Sequence, residues 1–365
     1  EYNDPGRFTA FIGYEWTSNA GGNNLHRVVI YRDGATQARM MEPYTTLEPV
    51  GSPDPRKLWE WMETFENRTG GDVLAVAHNG NLSNGIMFPV RDTFTGRKFD
   101  RAYAETRMKW EPLYEVTQIK GDGEAHPLLS PNDEFADYET WDQGNLDLSN
   151  PKEDDMLQYE YARSALQIGL ELEQDLGVNP YKFGMIGSTD SHTALATAEE
   201  ENFFGKHSGT EPSAERINHP MGQTENGTYE SWDMVASGLA AVWAPENTRD
   251  ALFDAMQRRE VFATSGPRIA PRLFVGGDLP GDICQRNFAA EGYAGGVPMG
   301  GVIDVPLAES PLFAAAVTAD PNGGLLQRLQ VVKVWHDDAG GFHQAVYDVA
   351  GDGDNGASVN LDDCA

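Results

Sequence analysis

Apolar and polar positions fall into alternating blocks along the first 265 residues or so. FTAFIGY (8–14) is nearly all apolar, as suits a strand buried on both faces and paired on both edges. LHRVVIYR (25–32) follows the turn-like GGNN and reads as another strand. Over residues 54–70 the period lengthens to that of a helix. Asp54 stands at the N-cap, Pro55 in the first turn, and Leu58, Trp61, Met62 and Phe65 share one face before Gly70 and Gly71 stop the pattern. DVLAVAH ends in His78, and LYEVTQIK (113–120) is a further strand. The polar stretch 121–151 is expected to be a functional or capping loop, because structureless loops of that length are otherwise uncommon. A helix is predicted over about 155–176, with Met156, Tyr159, Ala162, Leu166 and Leu170 in register, followed by the strand FGMIGS (183–188). Residues 194–235 read as an insertion rich in Glu, Gly, Asn and Thr. LAAVWA (239–244) then resumes as a strand, Asn247 or Thr248 caps the helix DALFDAMQRR, and VFATSG closes the pattern. Such alternation is how an α/β architecture reads.

Beyond Pro267 the texture changes. IAPRLFV, LFAAAVTA, LQVVKVW and HQAVYDV are strand-like runs separated by Gly, Asp and Pro, which predicts a small antiparallel β-sandwich. The expected domains are therefore 1–267 and 268–365, and the length of 365 residues supports two cores. The final residues, GDGDNGASVNLDDCA, show no pattern that completes the second domain.

Several polar residues stand where apolar runs end. Glu15 follows one in GYEW, His78 another in AVAHNGN, and Asp190 with His192 a third in GSTDSH; His26 opens a run behind GGNN. Strand ends are where an α/β barrel gathers its active-site side chains. Carboxylates and imidazoles together donate lone pairs to borderline cations such as Zn, Mn or Fe. An i, i+2 pair such as Asp190 and His192 in extended chain points to one side. Each residue has a plain structural reading as well: Glu15 as an ion-pair partner, His78 as part of a turn, and His26 as a surface residue beside Arg27. Lys120 and His126, in IKGDGEAH, are candidates for contact with substrate, against the reading of that loop as solvated surface.

Composition narrows the partners. With 57 acidic and 27 basic residues the formal net charge is -30, which repels nucleic-acid phosphates and anionic lipid, so neither is expected to bind. No run of about 18 apolar residues suggests a membrane span. The chain has no Gly-x-Ser-x-Gly elbow, no phosphate-binding Walker loop, no dinucleotide fingerprint and no Cys-x-x-Cys. Its two cysteines, Cys284 and Cys364, are compatible with free thiols or with one disulfide.

The stretches GYEWTSNAGGNNLHRVVIYRDG, AVAHNGNLSNG, EVTQIKGDGEAH, GSTDSH and SGLAAVWAPENTRDALFDAMQRREVFATSGPRI together resemble the polymerase-and-histidinol-phosphatase (PHP) family of metal-dependent phosphoesterases, in particular a large, often exported bacterial branch. The resemblance implies a distorted seven-stranded β/α barrel with up to three metal ions at its C-terminal mouth, and a periplasmic or secreted location. Glu15 resembles a carboxylate that bridges two metals, His26 and His78 resemble ligands of one of them, and Asp190 and His192 resemble ligands of different ions. The implied reaction is hydrolysis of a phosphate ester by metal-activated water. The family begins with a His-x-His strand, and this chain contains no His-x-His. The expectation is therefore a barrel incomplete at its N-terminal end, with the missing strand supplied by a preceding segment or a second chain. Two other readings remain: an amidohydrolase-like esterase or triesterase with Lys120 as a carbamylated metal bridge, and a non-catalytic module that binds carbohydrate or a partner.

Overall fold

The computed structural model describes residues 2–194, 203–207, 209, 211–234, 238–303, 310–337 and 339–354. Its first part is mixed α/β. Strands β1 (Ile12–Trp16), β2 (Arg27–Tyr31), β3 (Val73–Ala77), β4 (Leu113–Gln118), β5 (Gly121–Asp122) and β6 (Gly184–Gly187) share one mixed sheet. β1 pairs antiparallel with β2 and β2 with β3, whereas β4 runs parallel to both β3 and β6. The two-residue β5 folds back on the end of β4. Helices α1 (Pro55–Thr69), α2 (Arg101–Trp110) and α3 (Ala162–Leu176) accompany the sheet. A hairpin of β7 (Pro220–Thr224) and β8 (Gly227–Glu230) follows, then β9 (Leu239–Val242), α4 (Arg249–Gln257) and β10 (Val261–Thr264), with β9 and β10 antiparallel.

The helix ends obey the expected chemistry. Asp54 accepts from Arg56 N at the start of α1, Gly70 closes it in a left-handed conformation, and Thr248, rather than Asn247, caps α4 by accepting from Ala251 N. Alternate faces of the sheet are both buried. Val29, Val73 and Ala75 pack under Leu58, Trp59, Met62 and Phe65 of α1. On the other face Leu74, Val76, Leu113, Ile186 and Val261 meet Phe253 and Met256 of α4, joined by Phe11, Ile30 and Val242. Residues from β2, β3, β4, β6, β9 and β10 thus line one apolar cluster.

Several expectations need correction. FTAFIGY is only half strand: Phe8 is 60% exposed, and the chain before β1 turns back on itself through Asp4 and Phe8. That segment is pinned to the start of α4, with Gly6 N donating to Asn247 O (2.8 Å) and Thr9 Oγ1 to Asn247 Oδ1 (2.6 Å). Among the described residues β1 is paired along one edge, by β2. In α1 the inward tryptophan is Trp59, whose Nε1 donates to Glu111, while Trp61 stacks half-buried on Phe65. The helix expected over 155–176 breaks into a 3-10 turn, Asp154–Tyr159, and α3, because Tyr161 is extended and Glu160 is buried against Lys152. α2 was not expected at all; Asp100 starts it by accepting from Tyr103 N. The polar stretch 121–151 packs against the described part of the 194–235 excursion, with Trp141 stacked on Tyr229 at 4.8 Å.

The C-terminal part contains small antiparallel sheets, as its texture predicted, and also a helix, α5 (Phe288–Gly295), which was not foreseen. β11 (Ala270–Gly276) lies between β12 (Val297–Pro298) and β13 (Leu312–Thr318), and β14 (Arg328–His336) pairs with β15 (Phe342–Gly351). The β14–β15 hairpin leans on α3, where Gln167 Nε2 donates to His343 O at 3.3 Å. Cys284 is exposed, and Cys364 lies outside the described residues. No helix among the described residues is long and apolar enough to cross a membrane.

Candidate metal centre

Strand register puts the first three candidate residues together. Glu15 sits one residue before the end of β1, opposite Val28 of β2, and His26 immediately precedes β2. Arg27 pairs with Ala77 across β2 and β3, so His26 and His78 face each other one step beyond the ladder. Their rings meet edge-on with centroids 5.5 Å apart. Glu15 Oε1 lies 2.7 Å from His26 Nδ1 and 3.0 Å from His78 Nε2. His26 Nε2 faces Asn19 Oδ1 at 2.7 Å. Far from being a surface residue, His26 is buried, as is Arg27 beside it.

The second group comes from the turn after β6. His192 Nε2 lies 3.7 Å from the other Glu15 oxygen, Oε2, and His192 Nδ1 is 2.9 Å from Asp190 O. Donor atoms of Glu15, Asp190 and His192 all lie within 4.8 Å of one another, as do those of Glu15, His26 and His78. The structure therefore brings all five residues together around one carboxylate. Two of the connecting turns use left-handed backbone at residues that tolerate it: Asn79 (φ 48°), just after His78, and Asp190 itself (φ 49°). At Gly80 there is no room for a side chain, since a Cβ would sit 2.2 Å from Glu160 O.

Asp190 is held by cations. Lys120 Nζ contacts its Oδ2, Lys206 Nζ approaches the same oxygen at 2.6 Å and also meets the Asp190 carbonyl, and Gln118 Nε2 donates to Oδ2 at 2.9 Å. Of the two substrate-contact candidates, Lys120 is thus at the site. His126 has other partners: its Nε2 is 3.2 Å from Asp142 Oδ2, its Nδ1 accepts from Leu128 N, and its ring packs on Tyr161.

Protonation follows from these neighbours. Burial pushes the Glu15 carboxyl up, but hydrogen bonds from His192, His26 and His78 outweigh it and hold the group far below the usual carboxylate range. Burial lowers His26 against the pull of Glu15, which favours a neutral imidazole. At His78 burial is outweighed by Glu15, Glu115 and Asp190, and the imidazole is raised. Asp190 would be raised by burial, yet Lys120, His78 and Lys206 bring it well below normal. Lys206 is pushed down to about 7 by burial and by the Lys120 ammonium.

This donor set can hold a divalent cation. On an ion with ligands at about 2.0–2.2 Å, neighbouring donor atoms fall about 2.8–3.6 Å apart. The Glu15 contacts to His26, His78 and His192 are 2.7, 3.0 and 3.7 Å, the second inside that span and the other two just beyond its ends. Two buried atoms beside them, His78 Nδ1 and Glu115 Oε1, have no hydrogen-bond partner among the described residues, and an unpaired polar atom in such a place calls for an explanation. Burial raises the Glu115 carboxyl, whose Oε2 accepts from Ser188 Oγ.

Four further residues at the site went unread in the sequence: Glu115, Gln118, Lys206 and His207, whose ring centroid is 5.0 Å from that of His192. Glu115 and Thr117 did carry a signal, being polar at alternate positions of a strand that is buried throughout. Lys206 and His207 lie in an aperiodic segment and carried none.

No curated protein and no solved structure matches the chain. A family of protein domains does, along residues 1–364, and the chain belongs to it: the family described as protein of unknown function (DUF3604).

Proposed function

We propose that this chain is a metal-dependent hydrolase of phosphate esters, related to the PHP phosphoesterases. The observation that carries the reading is Glu15, with one carboxylate oxygen against His26 and His78 and the other turned toward His192. A carboxylate shared in this way is suited to two neighbouring cations, with His26 and His78 serving one and, in departure from the family pattern, Asp190 with His192 serving the other. When bound, divalent cations such as Mn, Zn or Fe polarise phosphoryl oxygens and lower the pKa of water.

The chain's own residues supply the rest. Burial lowers His26, which eases the loss of the proton that coordination requires. Gln118 and the two lysines orient Asp190. Lys120, whose Nζ reaches Asp190, is the member of the IKGDGEAH segment that we assign to substrate contact. We also propose that the sheet curls toward a distorted barrel. In support, β6 abuts β9 and β10 so closely that a Cβ on Gly187 would lie 2.7 Å from Thr264 O and 3.1 Å from Leu239 O. An exported location, periplasmic or secreted, goes with the same family resemblance.

The triesterase reading, with Lys120 carbamylated, is less well supported, because Lys120 contacts the Asp190 carboxylate as a cation would. The test is elemental analysis of the purified chain combined with phosphomonoester and phosphodiester assays before and after chelation. Bound Mn, Zn or Fe and a chelator-sensitive activity are expected. A metal-loaded protein without turnover on either ester class would overturn the reading in favour of a binding module.

A further inference from the structure

We propose that Lys120 and Lys206 form an anion subsite beside the candidate metal centre, and that it selects phosphate esters carrying negative charge on the phosphoryl group, mono- or diesters, over neutral triesters. The inference rests on the functional reading above and deepens it.

Three observations carry it. First, two lysines converge on one carboxylate oxygen, Asp190 Oδ2, although both are largely buried, with 8% and 3% exposure. Bringing like charges together out of water is unfavourable unless more than one anion is present to offset them. Second, the described acceptors leave N–H donors over on both ammonium groups. Lys120 meets one oxygen and Lys206 two, all belonging to Asp190. Donors left over in a buried position suit the oxygens of a bound anion. Third, Lys206 is built into the site. His192 N donates to Lys206 O at 2.7 Å, Ser191 Oγ donates to Gly205 O at 3.0 Å, and Glu211 N donates to His207 O at 2.8 Å. Gly205 takes a left-handed φ of 95°, and a Cβ there would sit 2.2 Å from Glu211 Cβ. The excursion after GSTDSH thus returns a lysine to the Asp190 turn through backbone pairing.

The geometry also sets the site apart from the rest of the surface. The protein carries a net charge of -30, which opposes the approach of an anion everywhere else. Two lysines already outnumber the one carboxylate they share, Asp190, so a divalent cation held by the five ligands would add further positive charge beside them.

The test uses the whole chain. Inorganic phosphate is titrated by calorimetry into the metal-free and the Mn-loaded protein, for wild type, Lys206→Met and Lys206→Arg. Metal content is measured alongside. Turnover is compared on 4-nitrophenyl phosphate, bis(4-nitrophenyl) phosphate and a neutral 4-nitrophenyl triester. Lys206→Met is expected to weaken phosphate binding and to lower kcat/KM for the monoester by at least about tenfold, the size of a lost charge-assisted hydrogen bond. Any disturbance of Asp190 would lower turnover on all three esters alike, so the subsite is read from the further loss on the charged esters relative to the triester, and Lys206→Arg should retain most phosphate binding. Lys120→Met carries the same expectation should Lys206→Met fail to fold. Unchanged phosphate affinity in a folded, metal-replete Lys206→Met protein overturns the subsite, as does an equal loss on all three esters. Lysine-dependent phosphate binding without turnover on any ester would instead sustain the subsite and overturn the hydrolase.

Discussion

Two places in this molecule set a pair of cations on a single carboxylate, and they are built differently. In the first, Glu111 takes Arg27 (3.0 Å), Arg107 (3.3 Å) and Trp59 Nε1 (3.0 Å), with every partner buried. Arg27 also donates to Leu25 O at 2.6 Å, and Arg107 to Met87 O at 2.9 Å while lying over the Tyr181 ring. In the second, Asp190 takes Lys120 and Lys206, and neither lysine has a described acceptor beyond it. Planar guanidinium groups spread their donors over carboxylate, carbonyl and ring, closing the first cluster on itself. Ammonium groups leave the second open. A closed cluster of this kind ties α2 to the sheet; an open one beside the candidate metal ligands is suited to a ligand.

The comparison can be broken by removing each carboxylate. Glu111→Gln leaves two arginines buried without their anion and should cost about 3–5 kcal/mol of stability in urea unfolding. Asp190→Asn should cost less than about half of that, because flexible lysine stems can re-aim their ammonium groups, whereas the guanidinium groups are fixed by carbonyl and ring partners. Equal losses would erase the distinction.

Next in size is Glu15→Gln, which should cost less stability than Glu111→Gln while weakening Mn binding by about 100-fold or more in chelator competition. A destabilised protein with intact metal affinity would place Glu15 with the closed cluster instead.

Acid sharpens the contrast further. Burial would raise Glu111, but Arg27 and Arg107 outweigh it and lower the folded-state pKa. A depressed carboxylate stabilises the fold above its unfolded value of about 4.3, and that contribution is lost as pH falls through the folded pKa. Stability should therefore decline below about pH 4, and in Glu111→Gln this part of the acid limb should be flatter. An identical acid limb in the two proteins would remove Glu111 as its source.

The smallest effect is expected at Gly205→Ala, which forces a left-handed φ on a side chain that collides with Glu211. About 1 kcal/mol of stability should be lost, with a several-fold weaker phosphate response if Lys206 is displaced. Phosphate binding equal to that of wild type would show that Lys206 does not depend on this turn.

Much of the α/β part was legible because its elements announce themselves locally. Val73 to Ala77 is a continuous apolar run ending in His78, and Asp54 with Pro55 marks a helix start by chemistry alone. The five candidate ligands were legible for the same reason, as polar residues where apolar runs begin or end. What stayed hidden depends on contacts between distant segments. α2 buries Arg107 beside Ala104 and Trp110, so a charged residue occupies part of its inner face and blurs the apolar stripe. Trp59 faces inward because Glu111, fifty-two residues on, accepts its N–H. Lys206 joins the site through backbone pairing with His192, which leaves no periodic trace in the chain.

Glu15 occupies the strand that, among the described residues, the sheet holds from one side only. Amide exchange normally begins at such margins, since fewer bonds must open there. The position joins two equilibria that are usually separate, fraying of β1 and occupancy of the centre. Whatever the centre binds in the folded form also secures the margin, by an amount that grows with the logarithm of free ligand concentration. Slower exchange at Gly13, Tyr14 and Trp16 on adding Mn would register that linkage directly, in the very strand on which both groups of candidate ligands converge.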